Sequence, residues 1–451
     1  MMRSLYSGVT GLKTHQIKMD VIGNNIANVN TTSYKSQSVT FSELMYQTTQ
    51  NASGPSEGGK AGVNARQVGL GVKSGATKVN IETAGSSQST GNPFDVRITG
   101  DSFFIVNDGA TNFFTRDGSF YVDAAGNLAM SSNGYNVMGW GVDSTSGKIK
   151  PDLVQPLKVM DADNLTYPPE ATTAAYVSGI IDKNDASVNT EAGRIISLSL
   201  YDNKGYTYTA KLSMKATADE GKYTVELKDL YDTAGNSVKT DDMVLGSGVN
   251  TLQYDTATGV LKSVNGVEAG TGVPPTPIPS LTLKLKADGD TTSAFENIDI
   301  DFSPSTNYNN NKVSTIGTVT GDREGKNTGR RLGQMSGISV QTDGKIYASY
   351  DNGQTKLLGQ IAVAKFSNAS GLEKEGDNLY TSTLNSGEFD GIGLDITSDG
   401  GYMNTGVLEM SNVDLSAEFT EMITTQRGFQ ANSRIITVSD TLLEELVNLK
   451  R

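Results

Sequence analysis

Two seven-residue repeats, one at each end of the chain, constrain the fold more than anything between them. After Ser4, a helix-capping residue type, Leu5, Leu12, Met19 and Ile26 recur every seven residues, and Ile22 and Val29 follow the last two at three-residue offsets. This spacing predicts a long N-terminal helix with an apolar seam that is imperfect at Gly8 and His15. At the other end Leu415, Met422, Phe429, Ile436 and Leu443 repeat with the same period, flanked by Phe419, Ile435, Leu442, Leu446, Val447 and Leu449. The face opposite carries Thr420, Arg427, Arg434, Thr441 and Asn448, so it is polar throughout and expected to meet water. Within the apolar stripe stand Thr425, Asn432 and Ser439, hydrogen-bonding groups where an ordinary core places Leu or Val.

Between the two helices the period changes to two. "FDVRITGDSFFIVND", "FFTRDGSFYVDAAGNLAM" and "GYNVMGWGVD" alternate apolar and polar residues between Asp-Gly and Gly-Asn turns, which reads as antiparallel hairpins. A second strand-rich region includes "RIISLSLYDNKGYTYTAKLSM" and "GKYTVELKDLYD", and its "GTGVPPTPIPS" reads as a stiff surface loop. After Arg330 hairpin-like sequence of the first texture resumes. The fold class expected is therefore multidomain and mainly β, with nested β domains and long terminal helices that form a coiled-coil-like assembly domain. The divisions expected are 1–30 plus 410–451 for the helices, 31–70 for an extended connector containing "NASGPSEGGKAG", 71–157 plus 330–409 for an outer β domain, and 158–329 for an inserted variable one.

A chain of 451 residues is long enough for about three domains of ordinary size. Its 50 acidic against 37 basic residues give a net charge of −13, which argues against nucleic acid and anionic membrane as partners. There is no cysteine, hence no disulfide, thiolate metal site or thiol nucleophile. The first twenty residues contain no apolar core of a secretory signal, and no apolar run is long enough to span a bilayer.

Two seam-bearing helices so far apart in sequence are natural partners for each other. Closing a flexible loop of that length would cost roughly 5 kcal/mol, most of which a folded middle removes. A two-helix hairpin still buries only one stripe of each helix. The remaining apolar arc points to other copies, and contacts of that kind that do not close on themselves build helical filaments.

The stretches "SGVTGLKTHQIKMDVIGNNIANVNTTSYK" and "SNVDLSAEFTEMITTQRGFQANSRIITVSDTLLEELVNLKR" closely resemble the N- and C-terminal signatures of the bacterial flagellar rod and hook axial protein family. "FDVRITGDSFFIV", "FTRDGSFYVDAAGNL", "GQIAVAKFSN", "GLEKEGDNLYTSTLNSGE" and "GYMNTGVLEMSNVDL" extend the resemblance over about residues 1–145 and 330–451. The length of the insertion and the ending resemble the hook members of the family. Two departures are Ser33 and Ser102, where glycine is usual, which puts glycine-specific backbone angles in question there.

The resemblance implies a non-enzymatic subunit, without cofactor, that polymerises with itself into a curved tube acting as a universal joint between rod and filament. It implies export through the flagellar type III gate without a cleaved signal, an extracellular location at the hook, and no membrane insertion. The implied partners are the distal rod protein, the hook cap scaffolding protein and the first hook–filament junction protein. Phe41 and Met45 in "TFSELM" match the Phe-x-x-x-hydrophobic element that the export gate reads. Arg427, Arg434 and Thr441 become lumen-facing. Asn24, Asn25 and Asn28 are expected to fix register across subunits by hydrogen bonds to Thr425, Asn432 or Ser439. A distal rod or hook-associated protein of the same family is the alternative, and a secreted adhesin or an enzyme active in the central β region a remoter one.

Ordinary readings stand beside the sharper ones. His15 is the only histidine and sits on a helix seam, where packing accounts for it without a metal or catalytic role. The pairs Asp161/Asp163 and Asp299/Asp301 lack the loop that a calcium site needs and read as turn or solvated-face residues.

Overall fold

A computed structural model describes residues 2–55, 61–143, 146–270, 280–286 and 293–449. The core of the proline-rich loop expected at 270–280 and residues 56–60 of the connector lie outside the described residues. The fold is mainly β, with two long helices, Met2–Ala27 and Leu415–Asn448, packed on each other. The chain divides into two compact units, one comprising residues 1–161, 338–348 and 356–451, the other 162–337 and 349–355.

In the first unit the strand Phe103–Asn107 is central, pairing antiparallel with Asn112–Thr115, Asn136–Gly141 and Val363–Ala364. Asn112–Thr115 passes the sheet on to Leu379–Thr381. Because Phe103, Phe104, Ile105 and Val106 are all buried, the strand is covered on both faces, which is why its sequence reads as a continuous apolar run rather than an alternation. Phe104 packs edge-on against Phe120 on one side and Phe103 against Phe366 and Tyr380 on the other. Two short antiparallel pairs then fold the chain's halves together: Val96–Thr99 with Tyr402–Thr405, and Ser87–Ser89 with Val407–Glu409. These pairs bring the segment leaving the N-terminal helix beside the one entering the C-terminal helix.

In the connector, β2 (Tyr46–Gln50) pairs with β3 (Arg66–Gly69), while β1 (Gln37–Glu43) pairs with β4 (Val72–Val79), which lies beyond the expected connector boundary at 70. The backbone bonds Leu44 N–H to Gly71 O and Leu70 N–H to Met45 O make these one continuous hairpin. β1 and β4 pack on the N-terminal helix, while every residue of β2 and β3 is exposed. The polar, glycine-rich composition thus yields a projecting ribbon, with Met45, Tyr46, Val63 and Val68 in solvent.

The second unit contains two six-stranded sheets. In one, Ala174–Ile181 runs parallel to Ile298–Asp301 and Ser305–Asn307 and antiparallel to Gly317–Thr320. The other is a meander from Arg194–Tyr201 through Thr207–Ala216, Lys222–Tyr231 and Asn250–Tyr254 to Leu261–Val264 and Val267–Glu268. Strict alternation along Arg194–Tyr201 buries Ile196, Leu198 and Leu200 in a core shared with Leu283 and Ile298 of the first sheet and with Phe302 just after it. Asp182 and Asp185 are buried as loop clips: Asp182 accepts the backbone N–H of Asn184, Asn310 and Lys312, and Asp185 those of Ser187 and Ser314. These backbone donors hold the Asp182 carboxyl below the usual range. Asp299 accepts the Thr282 hydroxyl and Asp301 the Ser303 N–H, and no cluster of acids or histidine able to hold a metal occurs among the described residues.

Candidate assembly site

The two helices meet along a stripe of small and polar residues. On the N-terminal helix it runs Ser4, Gly8, Gly11, His15, Lys18, Ile22 and Asn25, spaced alternately by three and four, so that it forms one face. Ser4 Oγ lies 3.4 Å from Ser439 Oγ, and Lys18 Nζ 3.1 Å from the Glu421 carboxylate. A Cβ on Gly11 would come within 2.6 Å of Asn432 Nδ2, and one on Gly428 within 2.8 Å of the His15 ring. The backbones approach closely because these positions carry so little bulk.

Thr425 and Ser439 are the buried residues of the C-terminal helix, with Asn432 half-buried between them. Met422, Phe429, Ile436 and Leu443 are half-buried on the same side, whereas Leu415, Phe419 and Leu446 are exposed. On the N-terminal helix Ile22 is buried, and Leu5, Leu12, Met19 and Ile26 are half-buried along a stripe roughly a quarter turn from the one that meets the C-terminal helix. Val29, just past the helix, is half-buried. The apolar heptad is therefore not the line of closest approach. Arg427, Arg434 and Thr441 are exposed on the outer face. Phe41 sets its ring against His15, with centroids 5.8 Å apart and planes at 89°, while Met45 is in solvent. Burial, helped by Lys18, holds the His15 imidazole below its ordinary pKa, so its role is that of a neutral packed ring.

The asparagine-rich run forms the root of this helix pair. Asn25 is almost fully buried and uses its whole amide within the chain: Nδ2 donates to Gln37 O at 2.8 Å and Glu418 Oε1 at 2.9 Å, and Oδ1 accepts from Gln37 N at 2.9 Å and the Tyr34 hydroxyl at 3.3 Å. Within one chain every donor and acceptor of the Asn25 amide is thus engaged, whereas the register contact expected of it concerns neighbouring subunits. Asn28 likewise turns inward, donating to the carbonyl and side-chain oxygens of Asn24 at 2.9 and 2.8 Å, which closes the last turn of the helix. Neither pairs with Thr425, Asn432 or Ser439. At the other helix Asp414 is the N-cap, accepting from Ser416 N and Ala417 N.

Beyond Asn28 the chain reverses through Ser33, which adopts φ +56°. The glycine-like angle is real, and serine takes it because its N–H donates to Glu409 O and its hydroxyl to Arg116 O, both at 2.8 Å. Ser102 is buried with an ordinary negative φ, so nothing there requires glycine.

Lys35 follows, and with Glu409 it makes the most deeply buried ion pair among the described residues, both side chains 1% exposed and 2.8 Å apart. Lys35 Nζ also donates to Thr83 O at 2.9 Å, and Glu409 Oε1 also accepts Gly85 N at 2.8 Å. A Cβ on Gly85 would sit 1.8 Å from Met410 O, so this crossing needs glycine. Burial pushes the lysine ammonium pKa down and Glu409 opposes it. Arg116 is buried beside the pair, its guanidinium 4.9 Å over the Phe103 ring. Asn412 completes the joint by accepting Ser36 N and donating to Asn80 O and Thr83 O. Lys35, Glu409, Arg116, Gly11 and Gly428 were not singled out from sequence. The signal for the glycines was the step of four and then three from Ser4 through Gly8 to Gly11, and of three from Thr425 to Gly428, whereas a lone lysine and a glutamate so far apart carry none.

Glu418 stands out in the other direction. Burial holds its carboxyl above the ordinary glutamate value of 4.5, with Asn25 opposing and Glu421 adding to the shift. The native chain therefore keeps a proton that the unfolded chain has released, in the window between 4.5 and the raised value. Stability from this group rises as pH falls through that window, and its charge is a cost above it. Relative to Glu418→Gln, the wild-type thermal midpoint is expected to fall behind as pH rises from 4.5 towards neutral and to match it below, and a difference independent of pH would contradict the assignment.

Three family signatures match the chain: a flagellar basal body rod protein signature at residues 5–35, the D1 domain of flagellar hook proteins FlgE/F/G at 97–178, and the C-terminal signature of basal body rod proteins FlgEFG at 404–449. The chain is 34% identical to the flagellar hook protein FlgE of Borreliella burgdorferi and 35% identical to that of Treponema pallidum, each over the whole of both chains. It is also 28% identical to the flagellar basal-body rod protein FlgG of Bacillus subtilis, again over the whole of both chains.

Proposed function

We propose, for a chain that belongs to the flagellar hook protein family and is a structural, non-enzymatic subunit that polymerises within the flagellar axial structure, that polymerisation runs through the two terminal helices and the projecting hairpin. The observation that carries this reading is the apolar surface that the helix pair leaves open. Leu415, Phe419 and Ile423 form one exposed ridge at the start of the C-terminal helix, and Ile435, Val438, Leu442, Leu446 and Leu449 another at its end. Tyr6 and Val9 add to it from the N-terminal helix. A helix that keeps two apolar flanks in water is stable only when other copies cover them. The β2–β3 ribbon makes the same demand, because an isolated two-stranded hairpin is marginal in water.

In this reading Arg427, Arg434 and Thr441 face the lumen of a tube, and the assembly acts as a curved universal joint at the hook, outside the cell. No helix among the described residues is long and apolar enough to cross a membrane. The end partners are a distal rod protein, a cap scaffold and the first junction protein, and Phe41 with Met45 serves the type III export gate while the chain is unfolded. Full-length protein at high concentration is expected to sediment as tubes, and chains lacking residues 2–30 or 415–451 to stay monomeric with the β units folded. Tubes formed by a chain lacking both helices would end this account.

A further inference from the structure

We infer that the cleft at the root of the helix pair receives a basic side chain from the helices of a second copy of this chain, which pairs with Glu418. The cleft, about 260 Å³, lies between the two helices and the base of the β1–β4 hairpin, with Lys18, Ile22, Gln37, Lys78, Glu418 and Glu421 among its walls. The other groups that bear on Glu418 are Asp414 on its own helix and Tyr34 on the turn. Glu421 is already engaged by Lys18. Glu418 is not so served: Oε1 takes the Asn25 amide, but Oε2 is buried without a donor. A carboxylate oxygen in that condition is costly until a donor reaches it, and a cationic donor is the strongest available.

The helices themselves hold the complement. Arg3 and Lys13 of the N-terminal helix are exposed, and among the described residues neither forms an ion pair. The inference rests on the reading that copies polymerise through these helices, and it explains why the isolated chain keeps a charge that it does not satisfy. Glu418 then serves the assembled state at the expense of the free one.

The test uses the full-length chain. Glu418→Gln keeps the oxygen that Asn25 needs and removes the charge, so the thermal midpoint of the dilute monomer at neutral pH is expected to be higher. The concentration needed for polymerisation is expected to rise about tenfold, as for a lost hydrogen bond to a charged group. Glu418→Arg is expected to block polymerisation, and either Arg3→Glu or Lys13→Glu on that background to restore it. Polymerisation of E418Q at the wild-type concentration would overturn the inference. So would failure of both reversals together with a Lys78→Met variant that behaves like E418Q, since the chain's own Lys78 would then be the partner. Both outcomes differ from failure of the underlying reading, in which chains without the helices polymerise as well.

Discussion

Replacing Glu409 with alanine is expected to destabilise the helix-bearing unit by about 3–5 kcal/mol, because it strands the Lys35 ammonium in a dry site. Lys35 is 1% exposed and has only the Thr83 carbonyl besides Glu409, and the Arg116 guanidinium is buried nearby. Gly85 N–H loses its acceptor in the same step. The double replacement Lys35→Met with Glu409→Leu removes both charges and is expected to cost far less than the sum of the singles, since the penalty of the single change is mostly an unpaired charge. Denaturant unfolding is convenient to follow, because the chain's one tryptophan, Trp140, is buried in this unit and bonded through Nε1 to the Asp152 and Ile392 carbonyls. Additive single-variant losses would mean that the pair is not coupled.

Asn25→Leu is expected to cost about 3 kcal/mol or more, and to show in the monomer before any polymer forms. The change orphans the Gln37 N–H and C=O, one oxygen of Glu418 and the Tyr34 hydroxyl at one buried point. Helices so detached at their root are expected to keep most of their circular dichroism at low temperature while limited proteolysis cuts between residues 28 and 36. Asn24→Ala, at an exposed position that only caps its own helix, is expected to cost below about 1 kcal/mol. Equal protease resistance of Asn25→Leu and wild type would contradict the role given to Asn25.

Much of this arrangement was legible in the residues. A seven-residue period is a strong signal, and it located both helices; Asp108-Gly109 and Gly126-Asn127 mark true hairpins, whereas the strands on either side of Asp117-Gly118 pair elsewhere. What periodicity could not reveal was which flank of a helix meets which partner. Leu5, Leu12, Met19 and Ile26 look like a seam, yet glycine and serine allow the closer approach, and the closest contact follows Gly8, Gly11, Thr425 and Ser439 instead. Asn25 was noticed for its amide, but its partners lie on three separate segments, and only the folded chain shows that they saturate it. Lys35 and Glu409 were silent for a related reason, being 374 positions apart with no local pattern to mark either.

A helical reconstruction of the polymer grown from purified full-length chain tests the central claim most directly. The account predicts Met2–Ala27 and Leu415–Asn448 packed against neighbouring copies along the inner wall, with Ile435, Leu442 and Leu449 buried between subunits and Arg427 and Arg434 facing the channel. A polymer in which those apolar residues remain in solvent, and the copies meet through their β units alone, would contradict it.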